Sequence, residues 1–508
     1  MISFISIQFL VFASITLLLY FLFPIKYRWL ILLTSSTIFY LNTGIESFVF
    51  VIYAAITAYI TARNIEDIYN NSNPNRKKAK IHLIIGILLI LTMLLYAKIG
   101  NSFFEALTNI LSLKSIGFRE IVPLGISYYT FSVIGYITDV YWRREKVEHN
   151  FLKFFLYMIY FPQIIQGPIP RYRRLAPQLI EGHPFNYKNL CFGIQRMIWG
   201  YFKKMVIADR FAIFTSEVFD NYSSYEGFIL VIAILLSAIE LYCDFSGCMD
   251  IALGFSEIMS IHLDENFRRP FYAKSAAEFW HRWHITLGTW FKDYIYMPIV
   301  SSSFLSKTCQ KAKKTFGSRF ARSLMSVIPL ASVWILTGVW HGTGLNYVVW
   351  GCYWGLIIII STVFAPEFKK LTQTLNINTS SKWYHLFQII RTFFLYVCSR
   401  LLTAPGELNK SFEILQRIFA KFNIWVLFDE SLYDIGLDRK DFSVGILAVL
   451  VLWKISSMQE KGIKVRDKIS SYPLVLRWSI YYAGILAIII LGIYGSGHSG
   501  NGFVYMYY

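Results

Sequence analysis

The sequence predicts an all-α fold, a polytopic transmembrane helical bundle of about 11–13 membrane helices, some of them tilted or re-entrant. Three observations predict it. Only 16% of the 508 residues are charged, against 55% hydrophobic and 18% aromatic, whereas soluble domains average about 25% charged residues. Residues 1–25, 342–366 and 478–508 carry no charged side chain at all, and one bilayer-spanning helix needs about 20 such residues. The excess of 49 basic over 31 acidic residues, a net charge of +18, gathers in short segments between the apolar runs.

Taken in order, apolar runs predict spans near 6–23, 29–42, 45–62, 81–98, 151–167, 226–243, 321–340, 345–363, 384–402, 443–457 and 474–493. Residues 1–25 lack a basic start and a small-residue cleavage site, so they read as a retained first span rather than a signal peptide. Segment 63–80 holds Arg63, Arg76, Lys77, Lys78 and Lys80 against Glu66 and Asp67, and 303–323 holds six basic residues and no acid. Short basic loops stay on the cytoplasmic side, where they meet anionic lipid. Lys26 and Arg28 fall on that same side of the alternation. This placement accounts for the positive charge without nucleic acid as a partner; membrane lipid is the partner it implies. The six cysteines form no C-x-x-C pair, so no zinc ribbon or redox motif is supported and they read as packing residues.

The middle of the chain departs from this pattern. Between 120 and 300 the apolar runs are broken by Pro123-Leu-Gly125, Gly167-Pro-Ile-Pro170, Asp244, Asp250 and Glu278. Charges at membrane depth face an interior cavity, and broken backbone survives there only where protein or water covers it. This half is therefore expected to line a polar recess. With no repeat and no soluble domain of useful size, residues 1–508 read as one integral-membrane domain, with 403–442 as the one sizeable late polar insertion.

Of the nine histidines, two places stand out. The first is Glu278-Phe-Trp-His281-Arg-Trp-His284, continued to Trp290. On one helix this spacing stacks Glu278, His281 and His284 one turn apart and sets Trp283 and Trp290 on a common face. The second is Leu336-Thr-Gly-Val-Trp340-His341-Gly342-Thr-Gly344, where a histidine closes a run uncharged from Ser323 onward. Burying that imidazole costs desolvation unless it has a partner or a task, and burial keeps it neutral, the form a general base requires. The flanking glycines permit close approach of a backbone or a slim acyl chain.

Familiar alternatives fail. No histidine is followed four residues later by Asp, and there is no H-E-x-x-H zinc helix, phosphate-binding loop or G-x-S-x-G elbow. No metal site is indicated. The cluster Gly495-Ser-Gly-His498-Ser499-Gly reads as a flexible loop.

Several blocks, in this order, resemble the membrane-bound O-acyltransferase family, in its bacterial alginate O-acetylation branch. They are Val122-Pro-Leu-Gly-Ile-Ser-Tyr-Tyr-Thr-Phe131, Phe161-Pro-Gln-Ile-Ile-Gln-Gly-Pro168, Arg171-Tyr-Arg-Arg174 and Leu175-Ala-Pro-Gln178. Then follow Ala238-Ile-Glu-Leu-Tyr-Cys-Asp-Phe-Ser-Gly247, Glu265-Asn-Phe-Arg268, Glu278 through Ile285, and Trp340-His-Gly342. The motifs concentrate in 120–355, and the aromatic ending 503–508 is also of this kind.

The resemblance implies a funnel through the membrane and two functional histidines, His341 as the catalytic residue and His284. His281 stands where relatives more commonly carry arginine and receives no role. No bound cofactor is implied; the donor is acetyl-CoA or another acyl thioester. Arg171, Arg173 and Arg174 are candidates for the donor phosphates, although a positive-inside loop explains them equally well. The implied setting is the bacterial cytoplasmic membrane. The implied partner is a separate extracytoplasmic, SGNH-hydrolase-like acetyltransferase acting on a polysaccharide. Chain length favours this branch over the shorter D-alanyl transferases of teichoic acid. A polysaccharide or lipid transporter using the same broken helices stays open as a different class.

Overall fold

Inside hydrocarbon every backbone N–H and C=O must be satisfied by the chain itself, which leaves helices or closed barrels. The computed structural model, which describes residues 3–110 and 123–494 (side chains of 99–110 excepted), follows the helical route. Among the described residues no strand forms beyond an isolated bridge between Phe267 and Trp283. Eight helices among the described residues are long and apolar enough to cross a membrane: Ile45–Asn70, Arg76–Lys98, Phe228–Ile258, Ser303–His341, Leu345–Val363, Lys382–Thr403, Arg439–Glu460 and Leu474–Leu491. The chain is a multi-pass, all-α membrane protein.

Three expected spans take a different form. The first two are helices of 16 and 14 residues, Ile7–Leu22 and Arg28–Leu41, shorter than a perpendicular crossing of about 20 residues. The third, 151–167, divides into Phe151–Ile159 and Phe161–Ile164. Pro162 suits only the start of a helix, and Pro168 and Pro170 cannot continue one. Further along, 120–300 contains short helices and two π-helical stretches, Phe202–Ala208 and Lys292–Tyr296. Asp244 and Asp250, however, do not break their run: both lie inside the continuous 31-residue helix Phe228–Ile258.

Two compact units divide the described residues. One holds those up to Tyr201 together with Gly247–Asp264; the other holds Phe202–Ser246 and those from Glu265 onward. In the first, the Phe161 ring is surrounded by Phe12, Phe39 and Phe255 at centroid distances of 5.2, 5.4 and 5.2 Å. Arg28, placed with Lys26 on the cytoplasmic side by the sequence, is buried. Its guanidinium donates to the carbonyls of Phe23 and Phe21 at 3.0 and 3.2 Å and to that of His183. Its charge is thus spread over backbone acceptors that would otherwise lack donors.

In the second unit the dominant feature is a helix hairpin, Ser303–His341 against Leu345–Val363. A Cβ on Gly338 would lie 2.6 Å from the Tyr347 carbonyl oxygen, and one on Gly351 would lie 2.5 Å from that of Trp334. Only glycine allows backbones this close, the small-residue packing that serves membrane helices. Gly317, at φ 84°, kinks the 39-residue helix. The six basic side chains on either side of that kink (Lys307, Lys311, Lys313, Lys314, Arg319 and Arg322) are all exposed. Arg319 forms an ion pair with Glu367 of the helix Ala365–Thr374.

Candidate active site

His341 is the last residue of the helix Ser303–His341 and is 7% exposed. Its ring is held between Trp340 and Trp350, at centroid distances of 4.6 and 4.8 Å. Behind Trp350 stands a wall of indoles, with Trp280 at 5.6 Å from Trp350, 5.0 Å from Trp334 and 5.2 Å from Trp354. The room left by the glycines after His341 is already claimed. A Cβ on Gly342 would lie 2.3 Å from the Tyr347 ring, and one on Gly344 would lie 2.2 Å from Asn346 Oδ1.

The stretch around His284 corrects the expectation of one continuous helix. The helix Ala276–Arg282 stops, Trp283 turns extended, His284 adopts a left-handed conformation (φ 46°, ψ 51°), and a second helix begins at Ile285. Consequently Glu278, His281 and His284 do not share a helical face, and Trp283 and Trp290 lie on separate elements. His281 is exposed, whereas His284 is 6% exposed. The cause is a partner segment that the spacing alone does not show. Arg268 N–H donates to the Arg282 carbonyl at 2.9 Å and Ile285 N–H to the Asn266 carbonyl at 3.0 Å. Those bonds offset the left-handed turn, which costs about 1–2 kcal/mol for a residue with a Cβ.

These two histidines are brought together across one indole. The His284 ring lies 6.2 Å from that of Trp340, and Phe245 closes another side at 4.9 Å. Burial pushes the His284 pKa down to about 3, so the imidazole is neutral at cellular pH. Its Nδ1 is 3.3 Å from Asn266 Oδ1.

Phe245 is fixed by a polar cluster for which the sequence supplied only half. Asp244 stood out as a charge in a span; its partners did not. Lys204 donates to Asp244 at 2.6 Å and to Asp209 at 2.8 Å. The neighbouring Lys203 donates to Ser246 Oγ at 2.8 Å. Two adjacent lysines thus grip the residues on either side of Phe245. Burial works against the Lys204 charge, yet the two carboxylates outweigh it and hold its pKa above the ordinary value. Burial pushes Asp209 up to about 6 despite the pull of Lys204. The available signal was Lys203-Lys204 and Asp209 within an otherwise apolar stretch, since such groups persist there only when paired.

The three arginines belong to the first unit, at the start of the helix Tyr172–Glu181. Arg173 and Arg174 are exposed, and Arg174 pairs with Asp264 at 3.0 Å. Among the described residues no three His, Cys, Asp or Glu side chains gather as a metal ion would require. Val122, the 495–500 cluster with His498 and the 503–508 ending lie outside the described residues.

Comparison with known proteins finds several similar chains. The probable alginate O-acetylase AlgI of Pseudomonas aeruginosa is 28% identical over 452 residues, covering 87% of this chain and 78% of that protein. The peptidoglycan O-acetyltransferase of Helicobacter pylori is 28% identical over 373 residues, covering 68% and 66%. The teichoic acid D-alanyltransferase of Bacillus subtilis is 30% identical over 288 residues, covering 56% and 69%. The profile of the membrane-bound O-acyltransferases matches residues 141–402, more than half the chain and the stretch that holds both buried histidines. This chain is a member of the membrane-bound O-acyltransferase family.

Proposed function

We propose that the protein moves an acetyl group from a cytoplasmic thioester, acetyl-CoA or a carrier-bound acyl group, across the cytoplasmic membrane of a bacterium, for O-acetylation of an extracytoplasmic polysaccharide. The observation that carries this reading is the convergence of buried His341 and His284 on Trp340. A thioester is already activated, so the site must orient it, take up a proton and steady developing negative charge. His341 acts as general base: it removes the proton of an acceptor hydroxyl as that oxygen bonds to the thioester carbonyl carbon. The tetrahedral intermediate then collapses, the C–S bond breaks, and the thiolate leaves with the proton. His284 orients the donor or steadies charge. Arg171, Arg173 and Arg174 meet the donor phosphates, and a separate extracytoplasmic acetyltransferase carries the acetyl group to the polymer.

The relatives named for alginate and peptidoglycan O-acetylation support acetyl as the acyl group. The teichoic acid D-alanyltransferase favours a second reading, D-alanyl transfer from a carrier protein. Purified protein in detergent, given radiolabelled acetyl-CoA or D-alanyl carrier protein with a hydroxyl acceptor, separates the two. Turnover of the D-alanyl donor alone overturns the acetyl reading, and turnover of neither thioester overturns both.

A further inference from the structure

Asn266 turns one oxygen toward three polar groups. Its Oδ1 accepts from the backbone N–H of Thr286 at 3.1 Å and from Thr286 Oγ1 at 2.9 Å, and it faces His284 Nδ1 at 3.3 Å. Asn266 is 1% exposed and Thr286 7%. A backbone N–H can only donate, so the Asn266 atom turned toward this cluster is the carbonyl oxygen, not the amide nitrogen. An acceptor opposite Nδ1 calls for a proton on Nδ1. In a neutral imidazole that leaves the lone pair on Nε2. The main chain of Asn266 grips the same turn from its other end by accepting the Ile285 N–H at 3.0 Å.

We propose that Asn266 is a positioning residue that locks His284 as its Nδ1–H tautomer and presents Nε2 as a hydrogen-bond acceptor. This rests on the reading of His284 as a site residue, and it chooses between the two tasks left open for that residue. An Nε2 lone pair repels an oxyanion and binds an N–H or O–H group. His284 therefore orients a donor-bearing group, such as an amide N–H of the thioester arm, and leaves oxyanion stabilisation to other groups. Among the groups that face the ring, Phe245, Trp340 and Asn266 are uncharged, and Asp244 beside Phe245 is engaged by Lys204.

The test compares wild type with Asn266→Asp, Asn266→Ala, Thr286→Val and His284→Ala as purified full-length proteins, assayed with acetyl-CoA from about pH 4.5 to 8.5. Loss of an orienting partner typically costs about 10–100-fold, so Asn266→Ala should lose activity on that scale while its melting temperature stays near wild type. Thr286→Val keeps the backbone N–H and should lose less. Asn266→Asp keeps the acceptor but adds a charge that raises the affinity of the ring for a proton by about 1–3 pH units. It should stay active at pH 8 and gain an acid limb, because imidazolium formation puts a proton on Nε2. Nitrogen-15 spectra of histidine-labelled protein, with His284→Ala to assign the signal, should show the Nδ1–H tautomer. An Asn266→Asp profile superimposable on wild type, or an Nε2–H tautomer at His284, overturns the proposal. If His284→Ala is impaired while all Asn266 variants match wild type, the Asn266 proposal alone falls. If His284→Ala transfers at the wild-type rate, the underlying reading of His284 falls and takes the proposal with it.

Discussion

The rings of His284 and Trp340 lie 6.2 Å apart, centroid to centroid, and Trp340 is the residue immediately before His341. The two histidines are 57 positions apart in sequence, yet one indole serves as a wall for both. Substituting either histidine therefore separates their roles while the indole remains.

His341→Ala should abolish acyl transfer without unfolding the protein. Removing a general base costs about 10²–10⁴ in rate, whereas deleting one buried imidazole held by Trp340 and Trp350 leaves the hairpin glycine contacts intact. The measurement is acetyl transfer by purified variant, beside a thermal melt. His281→Arg is the control: His281 is exposed, so its replacement should retain activity. Near wild-type transfer by His341→Ala would end the catalytic assignment.

How legible was this site? His341 was readable because an imidazole closing a long uncharged run is conspicuous against that run. The eight long spans were readable for the same reason, since apolar length is a local property. His284 was singled out too, and the structure buries it beside Trp340, but the continuous helix expected around it is broken there. The segment that breaks that helix, residues 266–268, pairs with it through backbone bonds that no helical periodicity encodes. Lys204 was invisible because its two carboxylate partners lie 5 and 40 residues away, and adjacent lysines read as surface until a structure pairs them.

His284→Ala should reduce transfer while leaving more residual turnover than His341→Ala, because an orienting group is partly replaceable by the rest of the pocket. The same residue sets a pH dependence of stability. Burial holds its folded pKa near 3, below the unfolded value of about 6.5. As pH falls below 6.5 the unfolded chain binds a proton that the folded ring refuses, so stability declines toward pH 3 by about 1.4 kcal/mol per unit. His284→Asn should flatten that part of the curve in denaturant titrations at pH 5 and 7.5. An unchanged slope would show that the ring titrates normally in the folded protein.

Lys204→Met should be among the most destabilising single changes in the second unit. It strands two buried carboxylates, and breaking such a pair costs about 3–5 kcal/mol. Adding Asp244→Asn should recover part of the loss, because the amide no longer needs a counter-charge. Activity should fall with stability, since Asp244 and Ser246 flank the Phe245 that packs on His284. A melting temperature for Lys204→Met equal to wild type would show the ion cluster to be open to water.

The donor route requires that the basic segment 63–80 and the basic helical segment 303–323 both face the cytoplasm. Each is short and basic, and in the second the lysines and arginines are exposed rather than paired inward. Arg319 joins Glu367, which brings Lys369 and Lys370 to the same side. The helix Lys382–Thr403 then crosses, so 404–438 should face outward, and Arg439–Glu460 should return the chain to the basic stretch that holds Lys461, Lys464, Arg466 and Lys468. Single cysteines at Lys78, Lys313, Lys369 and Glu430 can be labelled with a membrane-impermeant maleimide in intact cells, with the six native cysteines replaced by serine. Only Glu430→Cys should react before the membrane is opened, and the other three should react after. Labelling of Lys78→Cys and Lys313→Cys from outside would invert the topology. The cytoplasmic thioester would then have no basic face to approach, and the proposed direction of acyl transfer would fall with it.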